Sequence, residues 1–375
     1  MFKSVTVSLL LTVLIIGSGN ALTTRPTAVY WDANLDDVAA LLYLLDQPEY
    51  QIEYICASGT GFSDSWSGVN TGLRILESKA VDAETAGQTE LAQYYRSIAV
   101  AEGSSVPLSG MTNLNAAILN APVPIRLLTA TLWFTIDSFF PTSGSLSPSL
   151  LSCDQLLNQA IDTYGNKVEI FNSGTFTDLA GSADQISVLK NKVYMGGVLT
   201  NGAGNVFTLP GINQEAEFNI FLDPTAADVV LRYKESRAPL LVGLEATTQL
   251  PVTREFLNET NNLTSLHGRW INAYLNVVKD FFGEESFFND NNQPGGGYYL
   301  WDLIAALIHQ DKTCVSEEKG PLTVDQTEGP ADPSGKLLAI DDLNYRENGK
   351  RVTTRYCTLI NDQGYQVRIL DWMSS

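Results

Sequence analysis

Along the chain, short apolar runs alternate with stretches whose apolar residues recur every three or four positions. Runs of the first kind, at 28–32 (AVYWD), 51–57, 124–129, 167–172 (KVEIFN), 192–195 (KVYM) and 239–243 (PLLVG), predict strands. Stretches of the second kind, at 36–46, 68–79, 153–163, 177–183, 224–234, 267–281 and 301–310, predict helices. Strands separated by helices predict an α/β fold with an open, largely parallel, Rossmann-like sheet flanked by helices. Residues 283–297 (GEESFFNDNNQPGGG) are polar and Gly-rich and read as a mobile loop, suited to a lid over substrate or to plain surface. Beyond residue 320 the pattern changes: KLLAIDD, RVTTRYCTLI and YQVRIL read as strands between turns. The expected organisation is a body over 22–319 with a β-rich extension, 320–375, packed on it.

The first residues, MFKSVTVSLLLTVLIIGSGNA, carry one charge (Lys3), an apolar stretch and then small residues. That order predicts a secretory signal peptide, 1–21, and the apolar run is short for a membrane anchor. Two sequons, Asn258-Glu259-Thr260 and Asn262-Leu263-Thr264, agree with a secreted, glycosylated protein. Export also makes disulfides plausible among Cys56, Cys153, Cys314 and Cys357. Cys314–Cys357 is the expected pair, since both lie in the C-terminal region, and Cys56, inside the apolar run IEYICAS, reads as a buried free thiol. The formal charge is −19, and removing Lys3 with the signal makes it −20. So acidic a chain repels phosphate backbones and anionic lipids, which argues against nucleic acid or a membrane surface as partner. A neutral small molecule or a cation is compatible.

Candidate chemistry concentrates at one turn. In AVYWDANLDDVA, Asp32, Asn34, Asp36 and Asp37 stand between a strand and a helix. In an open α/β sheet, ligands bind in the crevice at the carboxyl ends of the strands, where this turn would lie. Helix capping explains one or two acids there. Three acids on one turn repel one another unless a cation or protons relieve them. An EF-hand loop fails, because its Gly and Glu positions hold Asp37 and Tyr43. The Asp-x-Asp of haloacid-dehalogenase phosphatases fails at Asn34. Oxygen ligands alone point to a hard cation, Ca²⁺ or Mg²⁺. The chain has only two histidines, His267 and His309, far from any Cys pair, and no G-x-S-x-G elbow. Zinc sites and Ser-His-Asp triads are therefore disfavoured, and both histidines read as surface or core residues.

The stretch DANLDD resembles the N-terminal signature of the nucleoside hydrolases, D-P-G-x-D-D, with Ala33 and Asn34 in place of Pro-Gly. NSGTFTD (172–178) is similar to that family's T-G-x-L-T-N segment, with Ser173 for Thr and Asp178 for Asn. MGGVLTNGAGN (195–205) resembles its M-G-G…G-N stretch, AEFNIFLDP (216–224) its A-E-F-N-x-x-x-D-P signature, and Trp301-Asp302 its late His-Asp or Trp-Asp pair. The five segments run in order across 28–310. The resemblance implies the nucleoside hydrolase fold and hydrolysis of the N-glycosidic bond of ribonucleosides. It also implies a Ca²⁺ site of Asp32, Asp37, Asp302 and the Ser173 carbonyl, with Asp32 as general base. Asp36 would accept from the ribose 2′-hydroxyl, and Asn205, Glu217 and Asn219 would hold the 5′- and 3′-hydroxyl side. Glu217 and Asn219, two apart, share a face if the segment is a strand; Asn205 could serve only as a turn cap. Dimers or tetramers are usual in the family.

Trp301 stands where one branch of the family has His. Indole donates no proton at useful pH, but its face can stack on a purine and favour protonation of that ring. Purine nucleosides are therefore the expected substrates, with Trp133 or Trp66 as candidates for a second stacking face. The departures at Tyr30, Asn34 and Asp178 keep two other readings open: an inactive secreted nucleoside- or ribose-binding protein, and an interaction protein that keeps the fold for its shape.

Overall fold

The computed structural model describes residues 24–109, 138–140, 144–206, 215–233, 237–290, 296–311, 314–326, 335–339, 346–347, 350–351 and 353–375. The expected signal peptide, the strand expected at 124–129 and Trp133 lie outside them.

The strands are β1 (Arg25–Trp31), β2 (Tyr50–Ala57), β3 (Ala99–Glu102), β4 (Glu169–Asn172), β5 (Asn191–Met195), β6 (Leu240–Val242), β7 (Ser316–Gly320), β8 (Leu322–Val324), β9 (Leu337–Ala339), β10 (Arg346–Glu347), β11 (Lys350–Arg351) and β12 (Thr354–Leu359). Eight of them form one sheet in the order β3-β2-β1-β4-β5-β6-β12-β7. All neighbours are parallel except β7, which runs antiparallel to β12 at the edge. β1 is the hinge of the topology, with β2 and β3 on one side and β4 onward on the other. Ligands of open α/β sheets bind at such a reversal. Ala28, Val29, Tyr30 and Trp31 are buried, as befits a strand covered on both faces. The α/β fold with a largely parallel sheet is as the sequence predicts.

The C-terminal region is built more closely into the body than the sequence suggests. β12 extends the central sheet beside β6, and β8 and β9 form a separate antiparallel pair. YQVRIL is not a strand; it lies within the helix Asp362–Ser374, capped by the Asn361 side chain. Tyr365, Ile369, Trp372 and Met373 are its buried residues, spaced at helical period. The alternation in YQVRIL is too short to reveal that spacing. Cys314 and Cys357 are joined as expected, tying the start of β7 to β12. Cys56 is not a free thiol: it is bonded to Cys153, which opens the helix Cys153–Tyr164 packed against β2.

The helix Trp301–Asp311 lies almost wholly in the core, against the helix Leu35–Asp46. Arg25 holds its far end, donating to the carbonyls of His309 (2.8 Å) and Gln310 (3.2 Å) while pairing with buried Glu169 at 2.6 Å. His309 stacks on Tyr50, and His267 stacks on Trp372 beside Asp46. His309 is a core residue and His267 is half-buried. Replacing Arg25 by Met should destabilise the fold by about 3 kcal/mol, because it strips the cation from a buried carboxylate. Urea unfolding of the variant measures this, and a loss below about 1 kcal/mol would contradict it.

Candidate active site

The turn after β1 is tight. Asp32 leaves the strand, Ala33 adopts φ +55°, and Asn34 caps the helix Leu35–Asp46. A left-handed Ala costs on the order of 1–2 kcal/mol, and it lets the chain pass from strand to helix within three residues. The Asn34 side chain accepts from the Leu35 N–H (2.8 Å), and Asp37 reaches back to the Asn34 N–H (3.0 Å), a capping box. Asp36 and Asp37 thereby point inward from the first helical turn. Asp302 stands in the first turn of the helix Trp301–Asp311, and its backbone N–H donates to Asp36 Oδ2 at 3.3 Å.

These groups share one cavity of about 400 Å³ at the carboxyl ends of β1, β4 and β5. Every site residue expected from the sequence lines it: Asp32, Asp36, Asp37, Ser173, Asn205, Glu217, Asn219, Trp301 and Asp302. Carboxylate oxygens of Asp36, Asp37 and Asp302 lie within 4.8 Å of one another, and all three residues are buried. Asp36 Oδ1 is buried with no hydrogen-bond partner among the described residues. Asp32 accepts from the N–H groups of Phe62 (2.9 Å) and Asn34 (3.4 Å). Ser173 donates its hydroxyl to Asp37, and its carbonyl accepts from the Asn219 amide at 2.8 Å.

Burial pushes the carboxyls of Asp37 and Asp302 well above the ordinary range, and the negative charges of their neighbours push the same way. Burial raises Asp32, against the opposing bonds it accepts from Asp37 and the two backbone N–H groups. It raises Asp36 to about 7. Glu217 is also raised to about 7 by burial, opposed by the three N–H groups it accepts from. So much desolvated acid, with an orphaned oxygen, fits a hard cation held by oxygen ligands.

Glu217 and Asn219 do not lie on a strand. Glu217 caps the helix Phe218–Leu222, accepting from the N–H groups of Asn219 (2.9 Å), Ile220 (3.2 Å) and Gly197 (3.0 Å). Both reach the cavity because a helix begins there. Asn205 does act as a turn cap, accepting from the Phe218 N–H at 2.8 Å, while also lining the cavity.

The sequence reading missed an aromatic wall. Phe62, Phe218, Phe281, Phe282, Phe287 and Tyr298 line the cavity beside Trp301, and Tyr298 packs edge-on to the indole with centroids 5.1 Å apart. The run FFGEESFF held the signal: aromatic pairs bracketing a polar stretch. Of the segment expected to be a mobile loop, 284–287 is helical, Phe287 is buried, and Ser286, Phe287 and Gly297 contribute to the wall. Trp66 is 59% exposed and does not line the cavity, so it offers no second stacking face.

Residues 30–366 match the profile of the family described as inosine-uridine preferring nucleoside hydrolase. This chain belongs to the nucleoside hydrolase family. It is 27% identical over 298 residues to uridine nucleosidase 1 of Arabidopsis thaliana, covering 80% of this chain and 77% of that one. It is also 27% identical over 296 residues to a pyrimidine-specific ribonucleoside hydrolase of Shewanella sp. strain ANA-3, covering 77% and 76%. A plant nucleoside hydrolase shares the fold with a TM-score of 0.68 at 18% identity, covering 94% of this chain and 99% of that one. A purine-preferring ribonucleoside hydrolase from Gardnerella vaginalis does so at 0.66 and 21%, covering 93% and 98%. The nucleoside hydrolase match runs through β12, in keeping with that strand's place in the central sheet.

The raised acids link stability to pH. Asp36 titrates near 7 when folded and near 3.8 when unfolded, so between those values the folded chain binds the extra proton. Its contribution to stability therefore falls as pH rises through that window. In chelator, Asp36→Asn should gain melting temperature relative to wild type between pH 5 and pH 7.5. A difference independent of pH would contradict the assignment.

Proposed function

We propose that the chain is a secreted, Ca²⁺-dependent hydrolase of the N-glycosidic bond of purine ribonucleosides, releasing ribose and free base. The observation that carries the proposal is the convergence of the buried carboxylates Asp32, Asp36, Asp37 and Asp302 on one cavity walled by aromatic side chains. Asp32, Asp37 and Asp302, with the Ser173 carbonyl, would hold the cation. When bound, a hard cation supplies Lewis-acid polarisation of water and sugar hydroxyls.

In the proposed reaction a water oxygen bonds to the anomeric carbon while the bond from that carbon to the base nitrogen breaks. The base leaves with the electron pair. Asp32 takes the proton from the attacking water; the Phe62 and Asn34 N–H groups hold its carboxylate for that role. Asp36, with its unpartnered Oδ1, suits acceptance of the ribose 2′-hydroxyl. Asn205, Glu217 and Asn219 would orient the far side of the sugar, already fixed by their own backbone bonds.

Support for a purine comes from Trp301, a large flat surface beside Asp302 in a cavity that no histidine lines. A purine ring stacked there can take its proton from solvent water in place of receiving one from a side chain. The relatives named for uridine and pyrimidine nucleosides favour a second reading, in which the same wall accepts the smaller base. Secretion is supported by the N-terminal pattern, by two disulfides and by the exposure of Asn258 and Asn262 in their sequons. No helix among the described residues is long and apolar enough to cross a membrane.

A reducing-sugar assay on the mature chain tests the activity. Release should occur with Ca²⁺, cease with chelator, and fall by roughly 100-fold or more in Asp302→Asn. Activity indifferent to chelator would remove the cation from the proposal, and absence of release from any nucleoside would leave the binding-protein reading. A second comparison tests the base. Inosine should be cleaved with the higher kcat/KM, and Trp301→Phe should lose less than Trp301→Ala. Uridine equal to or better than inosine would reject the purine proposal.

A further inference from the structure

Behind Asp32 lies a group of buried hydroxyls that the proposed reaction does not use. Ser58 and Thr60 follow β2; Thr175 and Thr177 follow β4. These strands are not neighbours, because β1 lies between them. Their loops nevertheless meet: Thr60 Oγ1 is 2.6 Å from Thr175 Oγ1 and 2.8 Å from Thr177 Oγ1, and Ser58 Oγ is 2.9 Å from Thr175 Oγ1. The bridge closes over the end of β1, where Asp32 emerges.

The direction of the chain is set at one end. Thr177 donates to Asp223 Oδ2 at 2.7 Å, so Thr60 donates to Thr177 and Thr175 donates to Thr60. Asp223 also accepts from the N–H groups of Leu108, Ser109 and Ala226, which anchor it. Each bridged loop carries a glycine against Asp32. A methyl group on Gly61 would stand 2.2 Å from Asp32 Oδ2, and one on Gly174 would stand 2.8 Å from the Asp32 backbone nitrogen. Phe62, one residue beyond Gly61, supplies the N–H that Asp32 accepts. Asp32 thus sits in a sleeve of two loops, and hydroxyls clasp the sleeve shut.

We propose that this clasp positions Asp32, with Thr60 and Thr175 as its central positioning residues. Its role as stated here rests on the reading of Asp32 as the general base and an ion ligand. Without the clasp, the loop after β2 keeps its backbone bonds to Trp31, Ser104 and Asp32 but loses its tie to the loop after β4, which lets its central residues shift. The Phe62 N–H then no longer fixes the carboxylate under the sugar. Displacement of a reacting group by about 1 Å costs up to 100-fold in rate.

The test compares Thr60→Val, which keeps the shape and removes the hydroxyl, with Thr60→Ser, which keeps the hydroxyl. Thr60→Val should lower kcat about tenfold or more with KM within about twofold of wild type, and weaken Ca²⁺ binding, measured by titration calorimetry, several-fold. Thr60→Ser should restore both. Wild-type kcat in Thr60→Val, or a loss that Thr60→Ser does not restore, would overturn the clasp. If Thr60→Val does not fold, Ser58→Ala, which removes one oxygen and no carbon, is read in the same way. If the wild type releases no base, the proposed function fails on its own, and the Ca²⁺ affinities of the same variants still decide the clasp.

Discussion

The structure turns on the repulsion among four carboxylates held out of water. Asp32, Asp36, Asp37 and Asp302 are each almost fully buried. Buried ionised acids in such proximity are unstable unless protons or a cation share their charge. The fold brings them together all the same. Two cores of apolar side chains cover the two faces of the sheet, and the acids occupy its open end. Packing elsewhere offsets the electrostatic cost of the site, as is common where function demands a locally unfavourable arrangement.

Each acid is placed by a different device. Asp32 ends a strand inside a sleeve of glycine-bearing loops. Asp36 and Asp37 ride the first turn of a helix started by a left-handed Ala33 and an Asn34 cap. Asp302 rides a buried helix whose far end is held by Arg25. Helix N-termini favour negative charge, which moderates the repulsion but does not remove it. The alternative of a proton on one or more acids is what the raised pKa directions describe.

The acids were legible in the sequence because function writes them as short, ordered motifs at strand ends and helix starts. DANLDD and the Trp301-Asp302 pair are read without knowing how distant segments pack. The parallel sheet was legible for the same reason: its strands are short apolar runs. The aromatic wall was legible only in part: Phe281 and Phe287 share the run FFGEESFF, but Phe62 and Phe218 come from distant segments and look like ordinary core residues. YQVRIL was misread because six residues cannot separate a strand's alternation from one face of a short helix. The Cys56–Cys153 bond joins residues 97 apart, a pairing that depends on tertiary packing. The hydroxyl clasp, too, is visible only once β1 is known to lie between β2 and β4.

The central claim is that one divalent ion reconciles these acids. Equilibrium dialysis of the mature protein against calcium at pH 7.5, followed by elemental analysis, measures it directly. The account predicts one ion per chain, absent from a variant carrying Asp37→Asn and Asp302→Asn. Wild-type protein that retains no ion, or a double variant that retains it, would contradict the account.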